Sequence, residues 1–363
     1  MIKLINSIKF FLFVSAVCFI FTGCINPAEK QPEVRNVILM IGDGMGLYHQ
    51  YAGYTANKGN LAIERCQYVG LAKTTSADNY NTDSAAAGTA IACGEKTNNG
   101  MVGVRPDSTH IKSMLEYAAE NGLATGVVVT SELTDATPAA FVAHVARRNE
   151  LENVALAFAR SKINVAIGGG RKFFEEREDG KNLTDSMRVK GFQVAHTVDE
   201  IKAVQEGNLL GLLAEVFPEH YPARGEMLTE GITTAINILN KNKKGFFLMV
   251  EGSQIDWAAH DNDQESVINE VLDFDRAVKI ALDFAERDGQ TLVIVTADHE
   301  TGGMNIRRGN LQSGDLTLTF STTGHTGVPV PVYSFGPGAE KFTGIFENTG
   351  FLPKILELFR INR

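Results

Sequence analysis

Acidic side chains and a histidine follow the ends of three separate apolar runs in this sequence. Asp43 comes two residues after the first run, Glu251 directly follows the second, and Asp298 and His299 come just after the third. If the runs are strands of one parallel sheet, their carboxyl ends share an edge, which is where open α/β sheets bind ligands. Carboxylates crowded at one edge repel one another and resist ionisation. A bound cation would remove that conflict, so the pattern predicts a metal site.

Further candidate metal ligands lie nearer the carboxyl terminus. Asp256 and His260 are four residues apart, so a helix would place them on one face, and an oxygen and a nitrogen at this spacing can bind one zinc ion. Such a pair alone is more often a surface hydrogen bond. His325 stands beside a glycine, where an ordinary loop histidine is the commoner interpretation. The other histidines have no ligand-like neighbours and are interpreted as structural: His49, His110, His144, His196 and His220.

The stretch from Asn81 to Ala90 contains a candidate nucleophile. It indicates a turn that enters a helix, with Ser84 at the helix N-terminus. Free backbone N–H groups and the helix dipole favour a bound anion at that position. The small residues after Ser84 would let the helix pack closely under the sheet edge. Taken alone, the stretch fits a simple N-cap at Asp83 or Ser84 better than a catalytic site.

The apolar runs that surround these residues are short and continuous, and helical patterns separate them. Continuous apolarity is typical of parallel strands covered on both faces, so we predict a doubly wound, mostly parallel α/β sheet with helices on both faces. Residues 300–324 have no helical period and predict a small β excursion near the active site. The predicted strands are Arg35–Ile41, Thr125–Thr130, Val165–Ile167, Phe246–Val250, Leu292–Thr296 and Val330–Ser334, and the clearest helices are Ile111–Asn121 and Glu265–Asp288.

The N-terminus has the pattern of a targeting segment. Residues 1–23 contain two lysines and then an apolar run that is short for a membrane span, which indicates a signal peptide. Cys24 follows Gly23 as in a bacterial lipoprotein box, so we favour lipidation at Cys24, with plain secretion as the alternative. Residues 24–34 are polar and predict a tether. Residues 35–363 would form a single domain, exported to the periplasm or anchored to the outer membrane of a Gram-negative-type bacterium.

Charge and cysteine content narrow the functional classes. The formal net charge is −9 and no basic stretch stands out, which argues against a nucleic-acid-binding surface. Contact with a membrane is expected only through the lipid anchor. Export would permit a disulfide between Cys66 and Cys93, but a sequence does not show whether two cysteines lie close enough to pair. Both outcomes therefore stay open.

Six motifs, taken together, resemble the alkaline phosphatase family in their order and nearly in their spacing. Each could occur by chance, but all six in order favour the catalytic interpretation of Ser84 and the ligand interpretation of the histidines. The resemblance extends from Asn36 to about Pro337. The motifs are Ile41-Gly-Asp-Gly-Met-Gly46, Thr82-Asp-Ser-Ala-Ala86, Ser131-Glu-Leu-Thr-Asp-Ala-Thr-Pro-Ala-Ala140, Val250-Glu-Gly-Ser-Gln-Ile-Asp256, Ala297-Asp-His-Glu300 and Gly324-His-Thr326.

The resemblance implies a phosphomonoesterase with two Zn²⁺ and one Mg²⁺ per chain, acting on small phosphate monoesters through a phosphoserine on Ser84. Arg148, eleven residues after Thr137 and on a helix begun by Pro138, would grip the substrate phosphate. Asp83 would orient Arg148, and Asp135 would hold magnesium-bound water. The implied metal ligands are Asp256, His260 and His325 for the first zinc, Asp43, Asp298, His299 and deprotonated Ser84 for the second, and Asp43, Thr137 and Glu251 for magnesium.

The sequence departs from the family pattern in three ways. Trp257 stands where many bacterial relatives have lysine, which leaves magnesium affinity and phosphate retention open. The segment between His299 and His325 is short, so the crown near residues 300–324 is expected to be minimal. The polar segment before Arg35 is too short to embrace a partner, so a homodimer is one of the open oligomeric states.

Two alternative functions are weighed against the monoesterase. The nearer one is a phosphodiesterase or other esterase of the same superfamily, which tends to replace the third-metal residues and the arginine. The more distant one is a non-catalytic lipoprotein that binds metal or phosphate. Ser84, Arg148, Thr137 and Glu251 are all present, which favours the monoesterase over both alternatives.

Overall fold

A ten-stranded sheet forms the centre of the protein, whose computed structural model describes residues 33–363. The central strands are mostly apolar and are buried along their whole length, as expected for strands between two helical layers. The strands are β1 (Asn36–Gly42), β2 (Tyr68–Lys73), β3 (Ala124–Glu132), β4 (Val165–Gly169), β5 (Phe192–Ala195), β6 (Asn208–Leu212), β7 (Phe246–Gly252), β8 (Thr291–Thr296), β9 (Glu300–Thr301), β10 (Met304–Gly309), β11 (Leu316–Phe320), β12 (His325–Thr326), β13 (Val330–Phe335) and β14 (Gly344–Glu347).

The strand order of the large sheet is β14-β2-β13-β8-β1-β7-β3-β4-β6-β5. Adjacent strands from β8 to β5 are all parallel, while β13 runs antiparallel to both of its neighbours. This arrangement confirms the predicted, mostly parallel α/β sheet. Two small antiparallel pairs, β10-β11 and β9-β12, account for the β excursion predicted over residues 300–324.

Two groups of helices pack against the sheet. The helices are α1 (Leu47–Ala56), α2 (Ser84–Cys93), α3 (Met114–Glu120), α4 (Ala136–Val142), α5 (Leu151–Arg160), α6 (Arg171–Glu175), α7 (Leu183–Val189), α8 (Val198–Ala203), α9 (Met227–Leu239), α10 (Gln254–His260), α11 (Gln264–Asp288) and α12 (Phe351–Phe359). In one group, α9 and α11 contact each other and strands β3, β7 and β8; in the other, α2 packs on α4 while α3 contacts β3 and β7. Both groups bury apolar side chains in one continuous core.

The signal peptide, the lipidated Cys24 and nearly all of the tether lie outside the described residues. Within residues 33–363, no helix combines the length and the apolarity needed to cross a membrane. Cys66 and Cys93 are both free and buried, so the structure resolves the open question of their pairing against a disulfide.

Candidate active site

The carboxyl ends of three adjacent central strands bring acidic residues to one edge of the sheet. Strand β1 lies between β7 and β8, with Ile41 in register with Glu251 on one side and with Thr296 on the other. Asp43 follows β1, and Asp298 follows β8. All three carboxylates are buried. The predicted convergence at this edge is therefore observed.

Asp256, His260 and His325 form one candidate metal site. Nε2 of His260 is 3.2 Å from Asp256 Oδ2, and Nε2 of His325 is 3.5 Å from Asp256 Oδ1. The two Nε2 atoms are 3.1 Å apart. On the other side of each ring, Nδ1 contacts a backbone carbonyl, of Thr323 for His260 and of Thr82 for His325. A carbonyl only accepts, so each Nδ1 carries a proton, and Nε2 is the ring nitrogen of each histidine that could bind a metal.

Asp43, Asp298 and His299 form a second group beside Ser84. Nε2 of His299 is 3.4 Å from Asp43 Oδ1 and 3.3 Å from Asp298 Oδ2. The same Nε2 is 3.2 Å from the Ser84 hydroxyl oxygen. The His299 and His325 rings stack with centroids 3.6 Å apart, so the two groups are in contact. Asp256 also lies within ligand reach of Asp43 and His299, which makes it the carboxylate between the groups.

Four buried oxygens in this region have no hydrogen-bond partner within the described residues. They belong to residues that the resemblance assigned to metals, and they are Asp43 Oδ1, Asp298 Oδ2, Glu251 Oε1 and Thr137 Oγ1. Buried polar atoms are normally paired, because an unpaired one costs the full desolvation penalty. Oxygen atoms at this density are typical of a site for hard or borderline divalent cations. The residues present therefore fit bound metal ions.

The pKa values of these buried residues show that the carboxylates resist ionising side by side. Burial raises the pKa of Asp43 well above its ordinary value, and the charges of Asp298 and Asp256 add to the shift. Burial likewise raises the pKa of Glu251, and it raises that of Asp298 to about 7. Burial lowers the pKa of His299 well below its ordinary value. Nearby cations would lower the carboxylate pKa values, so that the carboxylates ionise together, and would keep the His299 ring neutral.

Ser84 is the first residue of α2, as the sequence predicted. Asp83 is the N-cap, since its Oδ1 accepts a hydrogen bond of 3.0 Å from the backbone N–H of Ala86. The two interpretations of this stretch are therefore not exclusive, because Asp83 caps the helix while the Ser84 hydroxyl faces His299. Every residue of α2 is buried, and Gly88 lets the helix approach Thr137 and Ala140 of α4 closely.

Arg148 reaches the site from a loop, and the prediction that it lies on the helix with Pro138 was wrong. Helix α4 ends at Val142 because the chain turns extended and Val145 exchanges two backbone hydrogen bonds with Val102. The guanidinium is nevertheless held from two sides. Nη1 is 3.4 Å from Asp83 Oδ2, as expected, and Nη2 is 3.1 Å from Asp135 Oδ1. Because two carboxylates hold the guanidinium, its N–H groups point in a fixed direction and can donate together to two oxygens of an oxyanion.

Sequence reasoning missed Thr301 and Glu132. The Thr301 hydroxyl is hydrogen-bonded to Asp256 Oδ1 and lies 3.2 Å from His299 Nδ1, so it contacts one candidate ligand in each of the two groups. Glu132 is buried with one unpaired oxygen, and burial, followed by the charge of Asp135, raises its pKa to about 8. The only sequence signal for Thr301 is its position two residues after His299. The only one for Glu132 is its place in the motif from Ser131 to Ala140.

The comparisons with known proteins agree on one family. The family model for alkaline phosphatase matches residues 34–316. The chain is 37% identical to alkaline phosphatase 4 of Bacillus subtilis (strain 168), over 89% of this chain and 88% of the relative. It is 33% identical to streptomycin-6-phosphate phosphatase of Streptomyces griseus, over 87% of this chain and 88% of the relative.

Solved structures give the same result. The alkaline phosphatase from the Antarctic bacterium TAB5 superposes with a TM-score of 0.86 at 38% identity, covering 92% of this chain and 100% of that one. A mutant of the TAB5 protein with Mg bound in its M3 site superposes equally well, at the same identity and coverage. The alkaline phosphatase of Thermus thermophilus has a TM-score of 0.83 at 25% identity, over 93% of this chain and 95% of that one.

Proposed function

Since this chain belongs to the alkaline phosphatase family and is a metal-dependent phosphomonoesterase, we propose that it transfers the phosphoryl group of its substrates to Ser84 and then to water. The observation that carries the proposal is the position of the Ser84 hydroxyl, 3.2 Å from Nε2 of His299 at the start of a buried helix. No other described hydroxyl combines a helix N-terminus with that group of candidate ligands.

We propose three metal positions, supported by the two groups of side chains and by the unpaired oxygens. The proposed ligands are Asp256, His260 and His325 for one zinc ion, Asp43, Asp298, His299 and Ser84 for a second, and Asp43, Thr137 and Glu251 for magnesium. When bound, such ions would lower the pKa of the serine hydroxyl and neutralise charge on the entering and leaving oxygens. Ser253 supports this arrangement, since its hydroxyl is 2.7 Å from Glu251 Oε2 and orients that carboxylate.

Arg148 supplies the positive fork for the transferred group. Its guanidinium would donate to two non-bridging phosphate oxygens, and Asp83 and Asp135 would keep it aimed at them. Rigid positioning matters because phosphoryl transfer depends mostly on orientation and charge stabilisation. In this proposal Asp135 acts partly through Arg148, in addition to the role in holding magnesium-bound water that the family resemblance implies.

The reaction then proceeds in two displacements. In the first, the Ser84 hydroxyl gives its proton to water and its oxygen bonds to phosphorus as the bond from phosphorus to the ester oxygen breaks; the departing alkoxide takes a proton from water. In the second, a water oxygen bonds to phosphorus as the bond from phosphorus to Ser84 breaks, and the serine oxygen takes up the proton that the attacking water releases. The products are an alcohol and inorganic phosphate, and the enzyme returns to its starting state.

We extend the proposal to where the enzyme works. The signal-like residues 1–23 and Cys24 after Gly23 support export with a lipid anchor, in the periplasm or on the outer membrane. The net charge of −9 argues against nucleic acids as substrates, and membership of the family supports small phosphate monoesters of broad type.

Substitution of the proposed nucleophile tests the reaction. Ser84→Ala should keep the fold and the bound metal but lose roughly two to five powers of ten in turnover, because direct attack by water remains. Ser266→Ala is the matched control, since Ser266 also lies in the first turn of a helix, α11. Acid quenching during turnover, followed by peptide mass spectrometry, should detect phosphate on Ser84 in the wild type. Full activity of a pure Ser84→Ala protein would refute the assignment.

A further inference from the structure

A loop that we call the rim loop, residues 213–226, leaves the carboxyl end of β6. Strands β6, β4, β3, β7 and β1 are parallel neighbours in that order. The rim loop therefore starts from the same edge of the sheet as Asp43 and Glu251. It reaches α10, the short helix that carries Asp256 and His260.

The most exposed large apolar side chain of this loop is held in place by its two neighbours. Phe217 is 56% exposed. The carbonyl before it, of Val216, accepts a hydrogen bond of 2.8 Å from the N–H of Gly170, and the carbonyl after it, of Pro218, accepts one of 2.9 Å from the Gln254 amide. Gly169 lets the chain pack there, since a Cβ at this position would lie 2.3 Å from the Val216 carbonyl oxygen. Phe217 is thus both exposed and fixed.

A buried charge network anchors the other end of the rim loop. Arg224 is bound to Glu270 and Asp273 of α11, and its side chain and both carboxylates are almost fully buried. The same guanidinium is 3.3 Å from the Gln254 side-chain oxygen, so the two anchors are connected. Burying such charges is costly unless each one is paired. The buried network therefore holds this end of the rim loop in one conformation.

The rim loop presents its aromatic residues to the tryptophan of α10. The Phe217 and Trp257 rings meet edge to face with centroids 5.1 Å apart, and His220 meets Trp257 in the same way at 6.5 Å. We call these three side chains the rim aromatic cluster. Trp257 directly follows Asp256 in the chain and is half-buried. The cluster is therefore attached to the same short helix that carries Asp256 and His260.

We propose that the rim aromatic cluster is a subsite for the leaving group and that it selects phosphate monoesters whose ester oxygen is attached to an aromatic ring. The inference rests on the proposed function: the group of Asp43, Asp298 and His299 contains the attacking Ser84 oxygen, so the group of Asp256, His260 and His325 would face the leaving oxygen. The organic part of the substrate then extends beside α10. A fixed, exposed phenyl ring binds another aromatic ring with little loss of conformational freedom.

The chain's single tryptophan provides a direct binding signal. Trp257 fluorescence is titrated with phenylphosphonate and with methylphosphonate, which keep the dianionic phosphoryl group but contain no ester bond to hydrolyse. Phe217→Ala should weaken the affinity for phenylphosphonate by about threefold to tenfold, the range expected for one aromatic pair. The affinity for methylphosphonate should not change.

Two variants serve as controls. Phe217→Tyr keeps a ring at the same place and should keep the preference for the phenyl compound. Val189→Ala shortens an exposed apolar side chain on α7 and should change neither affinity. An unchanged ratio of the two affinities in Phe217→Ala that still hydrolyses monoesters would overturn this inference alone. A wild type that neither binds the phosphonates nor hydrolyses a monoester would overturn the proposed function, and this inference with it.

Discussion

Replacement of Thr301 by valine should weaken zinc binding at both proposed zinc sites. The Thr301 hydroxyl has one proton, which it donates to Asp256 Oδ1, and its oxygen lies 3.2 Å from Nδ1 of His299. If Nδ1 of His299 donates to this oxygen, Nε2 is the ring nitrogen that could bind a metal, as in the other two histidines. One side chain thus orients a ligand of each zinc ion.

The size of the effect follows from the two lost hydrogen bonds. Valine has nearly the shape of threonine, so the fully buried site should stay filled. A hydrogen bond to a charged group contributes about 1.5–3 kcal/mol, and loss of a residue that orients a metal ligand typically lowers metal affinity by about 10–100-fold. We therefore expect a decrease of roughly 10–100-fold in zinc affinity. Asp256 loses a bond to its charged form, so its site should be affected more.

The assay is competition for zinc between the protein and a chelator of known affinity, with bound zinc measured after equilibration. Thr301→Ser is the matched control, because it keeps the hydroxyl and loses only a methyl group, and it should bind zinc nearly as the wild type does. Melting temperatures of both metal-free variants check that the fold is intact. A folded Thr301→Val protein whose zinc affinities stay within about twofold of wild type would refute this reasoning.

Three further predictions concern phosphate, the anchor and pH. Trp257→Lys should tighten phosphate inhibition by roughly 10–100-fold, because an ammonium donates a charge-assisted hydrogen bond that an indole cannot; a weaker phosphate affinity in a folded variant would contradict it. Cys24→Ser should move the protein from the membrane to the soluble fraction at unchanged turnover, and a fully soluble wild type would disprove lipidation. The metal-free protein should lose stability as pH rises from about 4 to about 7. Folding raises the pKa of Asp298 to about 7, that of Glu132 to about 8 and those of Asp43 and Glu251 well above normal. The lowered pKa values of the buried His299 and His49 act in the opposite direction but involve fewer groups, so the folded state binds more protons than the unfolded state. Melting curves across that range test this, and added zinc with magnesium should flatten them.

The central strands could be predicted from the sequence, and the outer ones could not. Strands β1, β3, β7 and β8 are buried along their whole length, so each appears as a continuous apolar run. In contrast, β2 alternates between exposed and buried residues and β5 is a short edge strand with one exposed and one fully buried residue. The exposed positions Val69 and Leu71 of β2 are apolar, so its sequence shows no alternation, and the four residues of β5 are too few to define a pattern.

Among the site residues, those with a local sequence signal could be predicted, and those positioned by distant contacts could not. Asp43, Glu251 and Asp298 each stand at the end of an apolar run, so their convergence follows from the topology of a parallel sheet. Arg148 was placed on a helix because nothing between it and Pro138 breaks a helical pattern. The pairing of Val145 with Val102 overrides that local preference. Thr301 was missed because a single threonine carries no pattern of its own.

The position of β1 in the sheet has a consequence for how the protein folds. The first strand of the described chain is also a central one, hydrogen-bonded to β7 and β8. Its partners end at Gly252 and Thr296, so the centre of the sheet cannot close until most of the chain has been synthesised. Contacts this distant in sequence slow folding, because the entropy of closing a long loop is lost before they form. Under the proposed export, such a late-closing sheet would let the chain cross a membrane before the sheet and the metal site at its edge form.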